Sequence, residues 1–536
     1  MGEKLAFRPD KEFLLAFTAL CILGLTSALD ATSLSVAIPT ISTALDATAL
    51  QAFWSGTSFL LASTVFQPTV ASLSNIFGRK HLIYTTSALF AAGSLAAALA
   101  NTPGVLLAGR TAQGVGGGGI LALTEVVMTD LVPLAARGRW SSVLSAFWSV
   151  GTVAGPLVGA AFAQGATAAG GWRWIFYVNL PLVAAGALLV ALFLRQAPVP
   201  GAVAPKLARF DWLGAALFTV SLTAFLFGLT TGGVMYDWAS WRVLLPMVVG
   251  LVGLVVFGFW EFRYAKEPII NKRIFCNWDM IVSYIMTLFH GMILWSLIYF
   301  VVLYYQAVKL FTPVLSAVAV LPETLTVAPA AMAVGLAASK TGRYRWSLWA
   351  GWFLTTLGAG LLLPLGASTP AAAWVWLNLP VGVGTGMLFP ALALSVQAAS
   401  PPPLSGDAAA FFSFARGLGQ AAGVAASGVL FQNAFRRGLL QLALLPGGVA
   451  AGYARDATAV VGVIKGMAPG PRRDELVGAF NGGLQAVYVS MVAFGAFCLV
   501  LGASVRGYTL QQEHVTEQGL LRKSASFEDA GEDVEL

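Results

Sequence analysis

Long apolar segments recur along the whole chain and constrain its fold more than any other feature. Fourteen of them approach or exceed the ~20 residues that an α-helix needs to cross a bilayer. Backbone groups in lipid must be hydrogen-bonded within the segment, which favours helix over strand. We therefore predict an all-α polytopic membrane protein with helices over 13–40, 52–73, 82–101, 104–131, 140–163, 174–194, 211–231, 241–262, 278–305, 313–338, 346–365, 372–397, 408–433 and 482–506.

Composition and cysteine usage exclude several protein classes. Of the 536 residues, 57% are hydrophobic and only 10% are charged, whereas soluble proteins carry about 25% charged residues. The cysteines Cys21, Cys276 and Cys498 are scattered in or beside apolar runs, so we predict neither a disulfide framework nor a metal cluster. The net charge of +7 comes from basic residues dispersed among short loops, which is typical of membrane topology and not of nucleic-acid binding.

Lysine and arginine are concentrated in alternate loops, and this asymmetry predicts the orientation of the chain. With the basic loops in the cytosol, both termini are cytosolic. The basic stretch 434–481 falls on the outer side, contrary to the rule that basic loops face the cytosol. A re-entrant or surface helix in this stretch would explain the exception. The first segment lacks a small-residue cleavage site and is interpreted as a retained helix. The acidic end, SFEDAGEDVEL, has the composition of a disordered segment.

Two stretches that follow the second and tenth apolar segments align without gaps. They are ASLSNIFGRK (71–80) and GLAASKTGRY (335–344), and each has Gly-Arg at the same offset from its start. If the seventh and eighth segments are an insertion, these loops occupy equivalent places in two six-helix halves. Transporters built from repeats hold their substrate between such halves. Chance similarity between two basic turns is the alternative.

Glycine-rich motifs and one arginine mark the fourth and fifth segments. LLAGRTAQGVGGGG (106–119) contains Arg110, and a charge inside a membrane segment indicates function. In SVGTVAGPLVG (149–159), the glycine spacing allows helices to approach closely or to slide. Together these features predict a protein that moves something across a membrane.

Five motifs in order along the chain carry a family resemblance. LDATSLSVAIPTI (29–41), ASLSNIFGRKHL (71–82), the two motifs just described and GWRWIFYVNLP (171–181) resemble the signatures of the major facilitator superfamily. The pattern is similar to that of the fourteen-helix drug:proton antiporters common in fungi, and it covers nearly the whole chain. The resemblance implies a major facilitator fold of two six-helix halves plus two inserted helices.

The second motif departs from the family pattern. Gly78, Arg79 and Lys80 match, but Ala71 stands in place of the usual glycine and Asn75 in place of the usual aspartate. The resemblance implies that this aspartate helps to latch the cytosolic side. Asn75 can form a hydrogen bond there but not an ion pair. Together with the matching residues of the fifth segment, these are the candidate conformational motifs: Asn75, Gly78, Arg79, Lys80, Gly151, Gly155, Pro156 and Gly159.

Four residues are candidates for proton coupling. The resemblance marks Asp30 and Arg110, because a buried carboxylate balanced by a cation can bind and release a proton. The alternatives are a structural hydrogen bond for Asp30 and a snorkelling side chain for Arg110. Glu125 lies about 22 Å along the helix from Arg110, too far to pair with it. An ion pair at the interface, near Arg137 and Arg139, is the alternative to a relay role. His290 either handles protons or donates one hydrogen bond across helices.

Three further residues are candidates for a substrate cavity. Gln113 belongs to the same motif as Arg110. Glu323 is flanked by prolines in the tenth segment, where a carboxylate suits a central cavity, with the outer interface as the alternative. Arg416 lies in FFSFARGLGQAAGVA, which resembles the penultimate helix of the family, and pairing with Asp407 is its alternative role.

The motifs and loops also predict the domain organisation. We expect a cytosolic N-terminus at 1–12, an N-terminal half at 13–194, and a linker with two inserted helices at 195–262. The C-terminal half follows at 263–506 and contains the long outer loop 434–481, and a cytosolic acidic tail covers 507–536.

The resemblance implies a proton-coupled exporter of amphipathic organic compounds (toxins, secondary metabolites or drugs) that works by alternating access. Its expected partners are a small organic substrate, protons and the lipid bilayer. Proton-coupled uptake of a siderophore or nutrient is the alternative. An enzyme or receptor is disfavoured, since the sequence has no Walker loop and no H-E-x-x-H motif. We expect no catalytic residues, cofactor or metal, and a monomer in the plasma membrane, with the vacuolar membrane as the alternative location.

Overall fold

The computed structural model describes residues 7, 9–164, 171–233, 235–442, 453, 457–516 and 518–519. These residues form helices joined by short connections, and no β-strand occurs among them. The acidic end of the predicted tail, 526–536, and the first six residues lie outside the described part of the chain.

Eight α-helices are described in the first part of the chain. The second predicted segment is divided near Phe66 into two helices, because Pro68 has no backbone N–H with which to continue the ladder. The helices are α1 (Lys11–Ala44), α2 (Ala49–Val65), α3 (Gln67–Phe77), α4 (Arg79–Ala98), α5 (Pro103–Leu131), α6 (Leu134–Gln164), α7 (Trp174–Tyr177) and α8 (Asn179–Phe193).

Eleven further α-helices are described in the rest of the chain. The inserted region contains α9 (Val203–Arg209), α10 (Trp212–Thr231) and α11 (Trp241–Arg263). The second half contains α12 (Trp278–Ala307), α13 (Pro313–Ala319), α14 (Leu321–Thr341), α15 (Arg345–Leu361), α16 (Ala371–Ala399), α17 (Ser405–Leu440), α18 (Ala457–Gly466) and α19 (Pro471–Ser504).

Each of the fourteen predicted segments falls on one helix or on consecutive helices. Within the described residues, eleven are long and apolar enough to cross a membrane. The other three are the divided α2–α3 segment, the short α15 and the polar, glycine-rich α17. In the stretch predicted as a long outer loop, α17 continues to Leu440, α18 forms, and α19 begins at Pro471.

The two halves have the same internal packing. In the first half α1 packs against α6, and α5 packs against α2 and α4; in the second half α12 packs against α17, and α16 packs against α14 and α15. The repeat is also visible in the backbone, because Gly78 and Gly342 end their helices with φ values of 95° and 69°. A residue with a side chain rarely adopts such values. The all-α architecture of two similarly packed halves with two inserted helices, predicted from the sequence, is therefore the observed one.

The halves meet along two seams, where α14 packs against α6 and α17 packs against α5 and α2. The inserted helices α10 and α11 pair with each other, and α10 contacts α2 and α17 at the edge of the second seam. On α11, Val248, Val255 and Phe259 are exposed, as expected for a surface that faces lipid. The candidate residues lie inside the halves and along the seams.

Candidate functional site

An ion pair is buried inside the first half. Asp30 of α1 is 0% exposed and Arg110 of α5 is 1% exposed, and Arg110 Nη1 lies 2.5 Å from Asp30 Oδ2. The two proton-coupling candidates from different sequence motifs are therefore direct partners. Since Arg110 is buried and paired, it does not snorkel to an interface.

Two amides complete the shell around Asp30. Gln113 Nε2 donates to Asp30 Oδ1 at 3.0 Å, and Asn179 Nδ2 of α8 donates to the same oxygen at 2.7 Å. Gln113 also accepts from Arg110 Nη1 at 2.8 Å and donates to Ser94 Oγ of α4 at 2.7 Å. The structure therefore places Gln113, a cavity candidate, in the same cluster as Asp30. Asp30 thus accepts hydrogen bonds from three side chains.

Arg110 ties the cluster to a further helix. Its Nε donates to the backbone oxygen of Ser55 in α2 at 3.1 Å, and its guanidinium lies 4.5 Å from the ring centre of Phe59. The coupling cluster, defined here as Asp30, Arg110, Gln113 and Asn179, thus joins five helices of the first half. A change in the charge of Asp30 would act on all of them.

The glycine–proline motif lies directly beside the coupling cluster. Gly151, Gly155 and Gly159 of α6 face α1, and a Cβ added at any of them would overlap α1 atoms. At Gly159 the obstacle is the backbone oxygen of Ser33, three residues from Asp30. Pro156 lies within α6 between these contacts. The motif therefore brings α6 against the helix that carries the buried carboxylate.

A second buried ion pair crosses the seam between the halves. Arg416 Nη2 of α17 lies 3.6 Å from Glu125 Oε1 of α5, with both side chains largely buried. The guanidinium also lies 5.0 Å from the ring centre of Phe389 in α16. The alternatives considered for these residues, Arg137 for Glu125 and Asp407 for Arg416, are thus not their ion-pair partners.

His290 and Glu323 lie apart from the coupling cluster. His290 of α12 is 1% exposed, and its Nε2 lies 3.0 Å from the backbone oxygen of Thr385 in α16. This is the cross-helix hydrogen bond considered as its alternative role. Glu323 of α14 is 3% exposed, and its Oε2 has no hydrogen-bond partner among the described residues.

We use the name tail face for the end of the bundle where residues 505–516 lie. There Asn75 Nδ2 donates to Asp407 Oδ1 of the second half at 3.1 Å, and Asn75 Oδ1 accepts from Arg79. Arg79 also pairs with Asp130 at 3.1 Å. Asn75 therefore still links the halves, and the carboxylate of the link is supplied by α17. Lys80 donates to the backbone oxygen of Ala191 at 3.0 Å.

The chain after α19 lies across the tail face and contacts both halves. In the second half, Tyr508 donates to Asp279 at 2.6 Å and Gln512 donates to the oxygen of Ala398 at 2.8 Å. In the first half, Thr516 donates to Asp130 Oδ1 at 2.9 Å. This strap, residues 507–516, was predicted only as part of a cytosolic tail.

Sequence reasoning missed several of these partners. Asn179 stands in the recognised GWRWIFYVNLP motif, and its polar side chain in an apolar run was a usable signal. Asp407 was considered only as a partner for Arg416. The contacts of Gln512 and Thr516 had no sequence signal, because polar residues after a last membrane helix are common.

Comparison with known proteins agrees with this architecture. The family model described as Major Facilitator Superfamily matches residues 20–424. Two solved structures share the fold. The human organic anion transporter MFSD10 has a TM-score of 0.57 and 15% identity, over 92% of this chain and 100% of that one. The proton:xylose symporter XylE has a TM-score of 0.57 and 14% identity, over 94% of this chain and 98% of that one.

Curated relatives are similar over almost their full length. The MFS transporter L2 of Phoma sp. is 46% identical, over 97% of this chain and 86% of the relative. The MFS-type efflux pump LUC4 of Fusarium sp. is 34% identical, over 99% of this chain and 94% of the relative. The Acurin A biosynthesis cluster MFS-type transporter of Aspergillus aculeatus is 34% identical, over 95% of this chain and 92% of the relative. The chain belongs to the major facilitator superfamily of membrane transporters and is similar to its fungal efflux pumps.

Proposed function

We propose that this transporter exports amphipathic organic compounds in exchange for protons by alternating access. The observation that carries the proposal is the coupling cluster: a carboxylate buried in the membrane-spanning bundle, with a buried arginine and two amides as its partners. The relatives whose names include efflux pump or a biosynthesis cluster support export and a small organic substrate.

Protonation of Asp30 would change the whole cluster. A neutral carboxyl no longer compensates the charge of Arg110, and an uncompensated buried charge is costly. Arg110 must then find another partner, and its contacts with α2 and α5 must rearrange. The close packing of α6 on α1 would transmit this change to the helices that line the seams.

The contacts between halves define which side is closed. At the tail face Arg137 of α6 donates to Gln397 and Ser405 of the second half, and Ser142 donates to the backbone oxygen of Ala331 at 2.9 Å. Together with the Asn75–Asp407 bond, these contacts seal the tail face. We assign that face to the cytosol and this conformation to a state closed on the cytosolic side, in the plasma membrane.

The proton gradient supplies enough free energy for detoxification. A charge crossing 100 mV gains about 2.3 kcal/mol, and each pH unit adds about 1.4 kcal/mol. One coupled proton would therefore sustain substrate gradients of tens to hundreds of fold.

The test is transport in proteoliposomes with an imposed pH gradient and a panel of fluorescent amphipathic dyes. Export by antiport predicts dye movement against the direction of proton flow. Movement with the proton flow would contradict the proposal and favour proton-coupled uptake of a siderophore or nutrient. Movement independent of the gradient would contradict proton coupling.

A further inference from the structure

Arg416 differs from the other buried arginines of the bundle in how its donors are used. Arg79, Arg110 and Arg137 each donate at least three hydrogen bonds to described residues. Arg416 is 8% exposed and donates none within 3.5 Å; its polar partner is Glu125, at 3.6 Å. A guanidinium carries five N–H donors, and apart from the contact with Glu125 no described residue uses those of Arg416. The fork of Arg416 can therefore receive a ligand.

The position of Arg416 is that of a substrate site. It lies on the seam between the halves, where α17 meets α5, and transporters of this type bind substrates between their halves. Gln67 of α3, in the first half, lies beside Gly417, the residue that follows Arg416. Its Nε2 would be 3.0 Å from a Cβ placed on Gly417, and its Oε1 has no hydrogen-bond partner among the described residues.

An apolar and aromatic surface adjoins the guanidinium. Phe389, whose ring lies under Arg416, packs in one cluster with Trp295 and Val327. Trp148 of the first half contacts Phe389 at 5.5 Å between ring centres. The indole N–H of Trp295 has no hydrogen-bond partner among the described residues. The surface offers aromatic contacts and one spare donor beside a cation.

We propose that Arg416 binds the anionic group of the exported substrate, and that the substrate is an amphipathic organic acid, with its apolar body on the Phe389 cluster. The inference rests on the proposed function. A guanidinium fork matches a carboxylate through two parallel hydrogen bonds, and Glu125 holds the cation when the substrate is absent. Glu125 therefore competes with the substrate for Arg416.

This competition distinguishes an arginine that binds the substrate from one that only forms a structural ion pair. If the pair only joins the halves, removing either partner leaves the other buried and uncompensated, and both changes weaken the protein alike. If Arg416 binds the substrate, the two changes act in opposite directions. R416Q removes the site, whereas E125Q removes the competitor.

The experiment measures binding of three pyrene probes to the purified full chain by tryptophan-to-pyrene energy transfer. 1-Pyrenebutyrate carries a carboxylate, 1-pyrenebutanol is neutral, and a pyrenebutyl-trimethylammonium salt is cationic. We expect the acid to bind about tenfold or more tightly than the alcohol, since a charge-assisted hydrogen bond is worth about 1.5–3 kcal/mol. R416Q should reduce acid binding to the level of the alcohol, and E125Q should strengthen it.

Two further variants control for folding and geometry. R416K keeps the charge but lacks the planar fork, so acid binding should fall between wild type and R416Q. R209Q removes an exposed arginine that pairs with Glu267, and should leave acid binding unchanged. Each variant is compared only after it elutes as a single species in size-exclusion chromatography.

Equal binding of acid and alcohol, tighter binding of the cation, or equal losses in R416Q and E125Q would overturn the inference. So would wild-type protein that exports the dyes of the transport panel but binds none of the three probes, and in that case the proposed function stands. Wild-type protein that transports no dye at all refutes the proposed function itself.

Discussion

At the scale of single residues, the two buried ion pairs have different surroundings, and we assign them different roles. Asp30 accepts hydrogen bonds from Arg110, Gln113 and Asn179, and all three donors belong to the same half as Asp30. Glu125 and Arg416 form one long contact across the halves, and Glu125 Oε2 has no partner among the described residues. The first arrangement suits a switch controlled by a proton, and the second suits exchange of one anion for another.

The link at Asn75 gives a prediction at this scale. Asp407→Ala removes the acceptor of the Asn75 amide and with it this hydrogen bond between the halves. We expect a loss of about 0.5–1 kcal/mol in stability, the net contribution of a typical hydrogen bond, measured as a lower thermal midpoint in detergent. Asp407→Asn keeps an acceptor oxygen and should retain most of the midpoint. A midpoint unchanged in D407A would contradict the assigned link.

At the scale of helices, close packing of α1 and α6 decides how the halves are built. The glycines of α6 allow it to contact the backbone of α1, and those of α5 do the same for α2 and α4. Gly118 of α5, for example, faces the backbone of Ser63 in α2. A side chain at these positions must push whole helices apart.

Gly159→Ala tests this packing. A methyl group there overlaps the backbone oxygen of Ser33, and overpacking of this kind costs roughly 1–3 kcal/mol. We expect lower thermal stability and reduced dye transport. Gly24→Ala is the matched control, since a Cβ at Gly24 of α1 meets nothing within 4 Å and Ala favours a helix by up to about 1 kcal/mol. Equal effects of the two changes would argue against the packing role.

The strap gives a prediction of pH dependence. Burial lowers the pKa of His514 below its usual value of 6.5, and this outweighs the hydrogen bond to Thr129. A lowered pKa means that the docked strap favours neutral His514, so docking is strongest above pH ~6.5 and weakens as the pH falls towards the lowered value.

Hydrogen–deuterium exchange of residues 507–516, corrected for the intrinsic effect of pH, measures strap docking. Protection should fall between pH 7.5 and 5.5 in wild type. H514Q keeps a hydrogen-bond donor but does not titrate, so its protection should change less. Protection in wild type that does not change with pH would contradict a role for His514.

At the scale of the whole molecule, most of the fold could be predicted from the sequence because lipid imposes a simple rule. A segment of sufficient apolar length must form a helix, and the repeat of Gly-Arg at 78–79 and 342–343 indicates two equivalent halves. The division of the second segment near Phe66 and the extension of α17 to Leu440 were not foreseen, because local proline and packing effects set helix ends.

The candidate site was predictable only residue by residue. A charge in an apolar run stands out, and the family resemblance marks some of these positions, so Asp30, Arg110, Glu125 and Arg416 could be selected. Which of them pair depends on how the helices are arranged, and the sequence has no signal for contacts as remote as Glu125 with Arg416. The free donors of Arg416 became visible only in three dimensions.

The most direct test of the account is proton movement driven by substrate. Proteoliposomes loaded with a pH indicator receive an outward gradient of a transported dye, with wild type, Asp30→Asn and Asp46→Asn compared. Asp46 is an exposed loop residue with a φ of 50°, a conformation that Asn tolerates, so D46N controls for the chemical change alone. We predict that wild type and D46N move protons opposite to the dye, and that D30N moves dye without protons. Proton movement in D30N equal to that of wild type would contradict the role of Asp30.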